Sequence, residues 1–267
     1  MNTKTEETEG FCDEMSKIIL PILSDKDWDA TNDYVSKSRI QLFEMCNIKY
    51  KKQYIDRCIP REGSHASTVG TRFHEFAELF TNIAEKYPED KWKSFIHPEF
   101  TQEETDMLEW YIDYEIERKQ TAGEFWKPVA MEFRAINHQR KIRGIIDRVV
   151  QTSHDTIDIG EYKTTQSINK QKLMFEFGFY EVLLENIPEL KGFKRTYTVI
   201  NPRLKQVVSF NPSRLATIIK KINKLNDAIK NNEFKPACKY DYVFPWCNIC
   251  TMEEITVYNG LTNIRSD

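Results

Sequence analysis

The hydrophobic period of this chain first changes near residue 128, from helical to strand spacing, and that change limits the folds open to it. Before it, apolar residues recur at helical spacing. Phe73, Phe76, Ala77, Phe80, Ile83 and Ala84 fall at i, i+3, i+4 and i+7, which predicts an amphipathic helix from about Thr71 to Lys86. A second, acidic helix is expected from about Thr101 to Lys119, with Met107, Leu108, Tyr111 and Ile112 inward. Ser36 or Ser38 is placed to cap an earlier helix carrying Ile40, Phe43, Cys46, Ile48 and Tyr50. After it, Val129–Phe133, Lys141–Val150 and Thr156–Lys163 read as strands, and Asn137–Arg140 and Thr152–Asp155 suit hairpin turns between them. A helix with Leu173, Phe177, Tyr180 and Leu184 on one stripe follows. Strands at Thr196–Ile200 and Gln206–Phe210 flank an Asn201–Pro202 turn, and Asn211 and Pro212 open a long last helix. This order predicts an α/β or α+β domain: a mixed central sheet flanked by helices, with an N-terminal helical elaboration.

Composition narrows the setting. The 267 residues are 40% hydrophobic and 30% charged, a soluble globular balance, and no window approaches the ~18 apolar residues of a membrane span. Residues 1–35 read as an acidic, loosely packed lead-in. With no Pro/Gly-rich linker in view, residues 36–267 read as a single domain with a Cys-containing C-terminal tail. Glu6, Glu7 and Glu9 argue against a secretory signal or a basic transit peptide, so a cytoplasmic, reducing location is expected. The six cysteines are then thiols or metal ligands. The net charge of −3 argues by itself against a nucleic-acid binder, but the charge is segregated. Residues 75–117 hold thirteen acids and three bases, whereas residues 191–230 hold ten bases and one acid, a distribution that can build a basic face or serve simply as solvated helix surface.

The chemistry concentrates on two neighbouring strands. Alternation puts Ile157, Ile159, Glu161 and Lys163 on one face of the third strand, and Ile145, Asp147 and Val149 on one face of the second. In a hairpin, Asp147 approaches Glu161. Two close carboxylates repel, and a divalent cation resolves the repulsion. A nearby lysine can orient water or offset developing negative charge. Asp147 with Glu161-x-Lys163 is therefore a set suited to metal-assisted phosphodiester hydrolysis. Taken alone, Glu-x-Lys equally suits an exposed ion pair on a strand.

Four segments together resemble a known family. Gly144–Asp147 followed by Glu161-Tyr162-Lys163-Thr164 resembles the G-x-(I/V)-D…(D/E)-x-K-T core of RecB-type PD-(D/E)XK nucleases. Gly70 to His74 resembles that family's G-x-x-x-H helix, and Ser38–Tyr50 its S-x-L-x-x-(Y/F)-x-x-C-P-x-(K/R)-(Y/F) helix. Glu176 and Tyr180 stand where its Q-x-x-x-Y helix is expected. The resemblance spans residues 38–180 and is nearest to phage and prokaryotic exonucleases of DNA recombination, repair or end processing, including CRISPR-associated relatives.

It implies a PD-(D/E)XK, restriction-endonuclease-like core and a Mg²⁺- or Mn²⁺-dependent deoxyribonuclease. His74, Asp147, Glu161 and the backbone carbonyl of Tyr162 would be the metal ligands, with Lys163 the catalytic lysine. Glu132 stands where some relatives keep a supporting acid. Tyr180, Lys170 and Lys172 become candidate DNA contacts, on single strands or duplex ends. Two positions depart from the pattern: Asn47 replaces Pro, and Glu176 replaces Gln. A carboxylate lacks the amide donors and would repel a phosphate, so Glu176 should pair with a lysine or bind metal.

Some of these nucleases clamp an iron–sulfur cluster between one early and three late cysteines. Cys46 matches the early position, and Cys238, Cys247 and Cys250 supply a late set in a C-x8-C-x2-C spacing rather than the usual C-x2-C-x5-C. Four thiolates hold [4Fe–4S], or zinc. A helicase or recombination partner and a prokaryotic or phage-infected host follow from the same resemblance. The competing readings are a catalytically silent nuclease-fold scaffold that binds DNA or a helicase, a structure-specific endonuclease, and a zinc-binding adaptor built on the Cys tail.

Overall fold

The computed structural model describes residues 17–59 and 65–234. In that range the expected change of period is a change of structure. Helices α1 (Asp25–Asp29), α2 (Lys37–Met45), α3 (Asn47–Tyr50), α4 (His65–Lys86) and α5 (Gln102–Ala122) precede the sheet. Strands β1 (Ala130–Asn137), β2 (Ile142–Ser153) and β3 (Thr156–Tyr162) follow, then α6 (Lys170–Leu183), β4 (Lys194–Asn201), β5 (Gln206–Ser209) and α7 (Leu215–Asn231).

The sheet has the order β1-β2-β3-β4-β5. Its neighbours pair antiparallel except β3 and β4, which are parallel and are joined through α6, since a parallel pair needs a crossover. The mixed sheet is therefore as expected. One core packs strand residues such as Ile159, Val199 and Tyr197 against α6 and α7; a second packs Tyr162 and Ile200 against α4 and α5. The helices α6 and α7 approach closely at Gly178, where a Cβ would stand 2.9 Å from Ile218 Cγ1 and 3.0 Å from the Ser213 carbonyl.

Three expectations need correction. The lead-in is not loose over its described part. Leu20, Thr31 and Val35 are buried, and Val35 makes a parallel bridge to Ile142 on β2. The helix expected through Tyr50 breaks at Cys46, whose backbone is extended (φ −159°, ψ 108°). The thiol of Cys46 accepts from the Lys49 amide and so caps α3 instead, at a Cys-Asn pair with poor helix propensity. The last helix begins at Leu215, later than the Asn211–Pro212 signal, with no side-chain cap. The acidic helix, by contrast, opens on a full capping box between Thr101 and Glu104, and Arg72 of α4 binds the same Glu104 (3.3 Å), tying the two helices together.

Candidate active site

Register aligns three carboxylates on three adjacent strands. Met131 pairs with Arg148 and Phe133 with Ile146, so Glu132 falls opposite Asp147. The β2–β3 ladder ends at Arg148 and Gly160, and its next step sets Asp147 opposite Glu161. Asp147 is thus the first residue beyond the point where β2 parts from β3. Its Oδ2 accepts from the Tyr162 amide at 2.7 Å, which fixes the carboxylate in the fork. Glu132 sits at φ +47°, a left-handed conformation that costs a non-glycine residue of order 1 kcal/mol or more and tends to mark functional positions.

Helix α4 lays His74 over this row. Its Nδ1 is 3.1 Å from Glu132 Oε1 and 3.7 Å from Asp147 Oδ1. Ligand atoms of His74, Glu132 and Asp147 lie within 4.8 Å of one another, the one such cluster among the described residues. One imidazole and two carboxylates form a mixed N/O donor set that suits Mg²⁺ or Mn²⁺. The cluster opens into a cleft of about 510 Å³ lined also by Gly70, Thr71, Lys163 and Thr164.

Glu161 is turned the other way. Lys163 Nζ donates to Glu161 Oε1, Tyr180 donates its hydroxyl to Oε2 at 2.7 Å, and Lys37 Nζ is 3.5 Å from Oε1. Lys163 also donates to Glu176 at 3.2 Å, and Lys37 pairs with Glu176 and donates to the Tyr180 hydroxyl at 3.2 Å. The row therefore has an acid end (Glu132, Asp147) and an ammonium end (Lys37, Lys163).

The electrostatics follow. Burial, reinforced by the charge of Glu161, pushes Asp147 well above the ordinary carboxylate range. Burial works against ionisation of Glu161 as well, but the ammoniums of Lys37 and Lys163 outweigh it and hold Glu161 low. Burial opposes the His74 imidazolium, yet the hydrogen bond to Glu132 and the charge of Asp147 overcome it and raise His74. Burial lowers Lys37.

Of the residues expected from the sequence, His74 and Lys163 line the cleft and Asp147 joins His74 in the donor cluster, whereas Glu161, expected as a metal ligand, is held by Lys163, Lys37 and Tyr180 and its place in the cluster is taken by Glu132. Tyr162 brings its amide to Asp147, while its phenol turns away to Tyr111 at 3.0 Å in the other core. Tyr180 is 1% exposed and its hydroxyl is taken by Glu161, so the expected DNA contact has no free ring face; it orients a carboxylate instead. Lys170 and Lys172 are exposed in the first turn of α6. Glu176 does pair with lysine, as its chemistry requires. Two arginines of the basic 191–230 stretch are already paired, Arg195 with Glu181 (2.7 Å) and Arg203 with Glu103 (3.0 Å), which thins the expected basic face. Cys46 is partly exposed at the α2–α3 break; Cys238, Cys247 and Cys250 lie outside the described residues.

Sequence reasoning missed Lys37. A signal was present: a lysine directly after the Ser36 cap puts a cation at the positive end of a helix, a disfavoured place that points to a partner elsewhere. Among the described residues, no helix is long and apolar enough to cross a membrane.

The family profile described as the PD-(D/E)XK nuclease superfamily matches residues 34–255. No curated protein sequence matches the chain. Among solved structures, a protein from Eubacterium rectale described as a "Putative exonuclease" superposes with a TM-score of 0.50 at 14% identity, over 86% of this chain and 92% of its own. A second, the protein SSO0001, aligns with a TM-score of 0.27 at 15% identity, over 68% of this chain and 97% of its own.

Proposed function

The chain belongs to the PD-(D/E)XK nuclease superfamily, and from that premise we propose that it is a divalent-metal-dependent deoxyribonuclease that hydrolyses DNA from its ends. The observation that carries this reading is the convergence of His74, Glu132 and Asp147 within 4.8 Å at a cleft that Lys163 also lines.

A divalent cation bound there would supply Lewis-acid charge against the scissile phosphate and lower the pKa of water. His74, Glu132 and Asp147 would hold it, with Glu161 adjoining across the fork. The remaining roles belong to the chain itself. Lys163 presents an ammonium to the same cleft, where it offsets charge gathering on the phosphate and orients the attacking water. Tyr180 fixes Glu161 through its hydroxyl, and the Tyr162 amide fixes Asp147, so neither carboxylate has to reorganise during the reaction. Lys170 and Lys172, exposed in the first turn of α6, would serve as phosphate contacts, which would make binding salt-dependent. A role in recombination, repair or end processing alongside a helicase, in a prokaryotic or phage-infected cytoplasm, is the setting in which such an activity would work.

The test is cleavage of end-labelled linear and closed circular DNA, single- and double-stranded, in Mn²⁺, Mg²⁺ or EDTA. Metal-dependent loss of linear substrate with circles intact is expected, and Lys163→Ala should abolish it. Cleaved circles would make the enzyme an endonuclease; no cleavage of any substrate would overturn the proposal. The iron–sulfur cluster expected on Cys46, Cys238, Cys247 and Cys250 is what the family resemblance implies. Anaerobically purified protein that is brown, with ~4 iron per chain, supports it; colourless, iron-free protein removes it.

A further inference from the structure

We propose that Lys37 and Glu176 are a matched pair of positioning residues that holds Lys163 against Glu161, and that the carboxylate at 176 is tolerated only because Lys37 is there. The inference rests on the nuclease reading above and adds two residues to its site.

The geometry is that of a closed ring of charge. Glu176, buried on α6, uses one oxygen, Oε1, to hold two ammoniums: Lys37 Nζ and, at 3.2 Å, Lys163 Nζ. The same two ammoniums reach Glu161 Oε1, Lys163 by direct donation and Lys37 from 3.5 Å. Tyr180 closes the ring, accepting from Lys37 at 3.2 Å and donating to Glu161 Oε2 at 2.7 Å. Two cations and two anions in a nearly buried space balance. Remove either outer member and the balance fails in a defined direction.

Without Lys37, Glu176 is an unmatched buried carboxylate whose nearest cation is Lys163, and it draws that ammonium away from Glu161. Without Glu176, Lys37 is an unmatched ammonium whose nearest anion is Glu161, and it competes with Lys163 for one oxygen. Removing both leaves Lys163 with Glu161 as its only ionic partner, and a glutamine at 176 still offers its carbonyl oxygen to Lys163. The two residues also come from distant segments: Lys37 opens α2, while Glu176 lies mid-α6, so the pair fastens the N-terminal helical layer to the site.

The experiment is a double-mutant cycle on the full chain, Lys37→Met, Glu176→Gln and the two together, reading kcat and KM on linear DNA and Tm by calorimetry. Each single substitution should lower kcat by about tenfold with KM within about twofold, because neither side chain is placed on substrate. The double variant should recover kcat to within about threefold of the parent, a coupling the size of contacting residues. Lys37→Arg should retain more kcat than Lys37→Met. Losses that multiply in the double variant, or kcat that merely follows Tm, would overturn the pairing. A parent chain that cleaves nothing would overturn the nuclease reading itself, a failure distinct from a cleaving parent whose variants do not couple.

Discussion

Asp147 and Arg148 are chain neighbours on β2 and both are nearly fully buried, yet they serve networks of opposite character. Arg148 turns to the α4/α5 side of the sheet, where its guanidinium meets Glu115 of α5 at 3.2 Å. Glu115 is then saturated: Arg118 donates to it at 2.8 Å and Trp126 Nε1 at 3.1 Å. The charges of that network are matched within it, although the buried Arg148 Nε has no hydrogen-bond partner among the described residues, and Gly160 opposite Arg148 leaves it room. Asp147 instead belongs to a cluster in which carboxylates outnumber their local cations and which opens on a cleft. The contrast separates two uses of a buried charge. A compensated, sealed pair fixes structure; an under-compensated, open one is a place for a ligand of the missing sign.

Two substitutions break the comparison most sharply. Asp147→Asn keeps the shape of the side chain, relieves repulsion with Glu161, and should cost about 10³-fold or more in DNA cleavage while Tm holds or rises. Glu115→Gln does the reverse. It strips charge from a buried site shared by two arginines and should cost about 3 kcal/mol, or roughly 6–12 °C in Tm. Mn²⁺ affinity, measured by calorimetry on the folded protein, should stay within about twofold of the parent. Equal thermal losses in both variants would erase the distinction between the two networks.

How much of this could be read beforehand depends on the range of the interactions. The sheet and its flanking helices were legible because period and turn chemistry are local. Asp147, Glu161 and Lys163 were legible because strand alternation and a hairpin put them together within a short span. His74 needed the family's motif, since nothing in a helix pattern says which sheet edge the helix will cover. Glu132 was visible as an acid on β1, but its place opposite Asp147 depends on register across the hairpin. The burial of Tyr180 was legible from its place on the apolar stripe of α6, but the turning of Glu161 toward lysines depends on how α6 and α2 dock, which local pattern does not encode. The break at Cys46 is a case where one extended residue overrode a plausible helical stripe.

The acid end should also reveal itself by pH. Asp147 and His74 both hold their protons more tightly in the folded chain than in the unfolded one. Their contribution to stability is therefore full at low pH. It declines as pH rises through the ordinary carboxylate range and then the ordinary imidazole range toward the raised values. A divalent cation must displace those protons, so its affinity should rise with pH, by up to about tenfold per pH unit for each proton displaced. Calorimetric titration with Mn²⁺ at pH 6 and pH 8 checks this, with proton release measured in buffers of different ionisation enthalpy. Affinity independent of pH would mean that neither His74 nor Asp147 is a ligand. Glu115→Gln, on the other side of the sheet, should leave the pH dependence unchanged.

The smallest effect is the most specific to the backbone. Glu132 holds φ +47°, and the strain has a purpose only if the carboxylate must stand beside His74 and Asp147. Glycine adopts that conformation freely, so Glu132→Gly should stabilise the metal-free protein by about 1 kcal/mol, the strain of a left-handed non-glycine residue. It should weaken Mn²⁺ binding at the same time. Glu132→Ala keeps the strain and loses the ligand, and so should weaken Mn²⁺ equally without the gain in Tm. The gap between the two variants in Tm measures the strain; their common loss of affinity measures the ligand. A glycine variant that binds Mn²⁺ as the parent does would take Glu132 out of the site and leave the strained backbone of β1 without a functional reason.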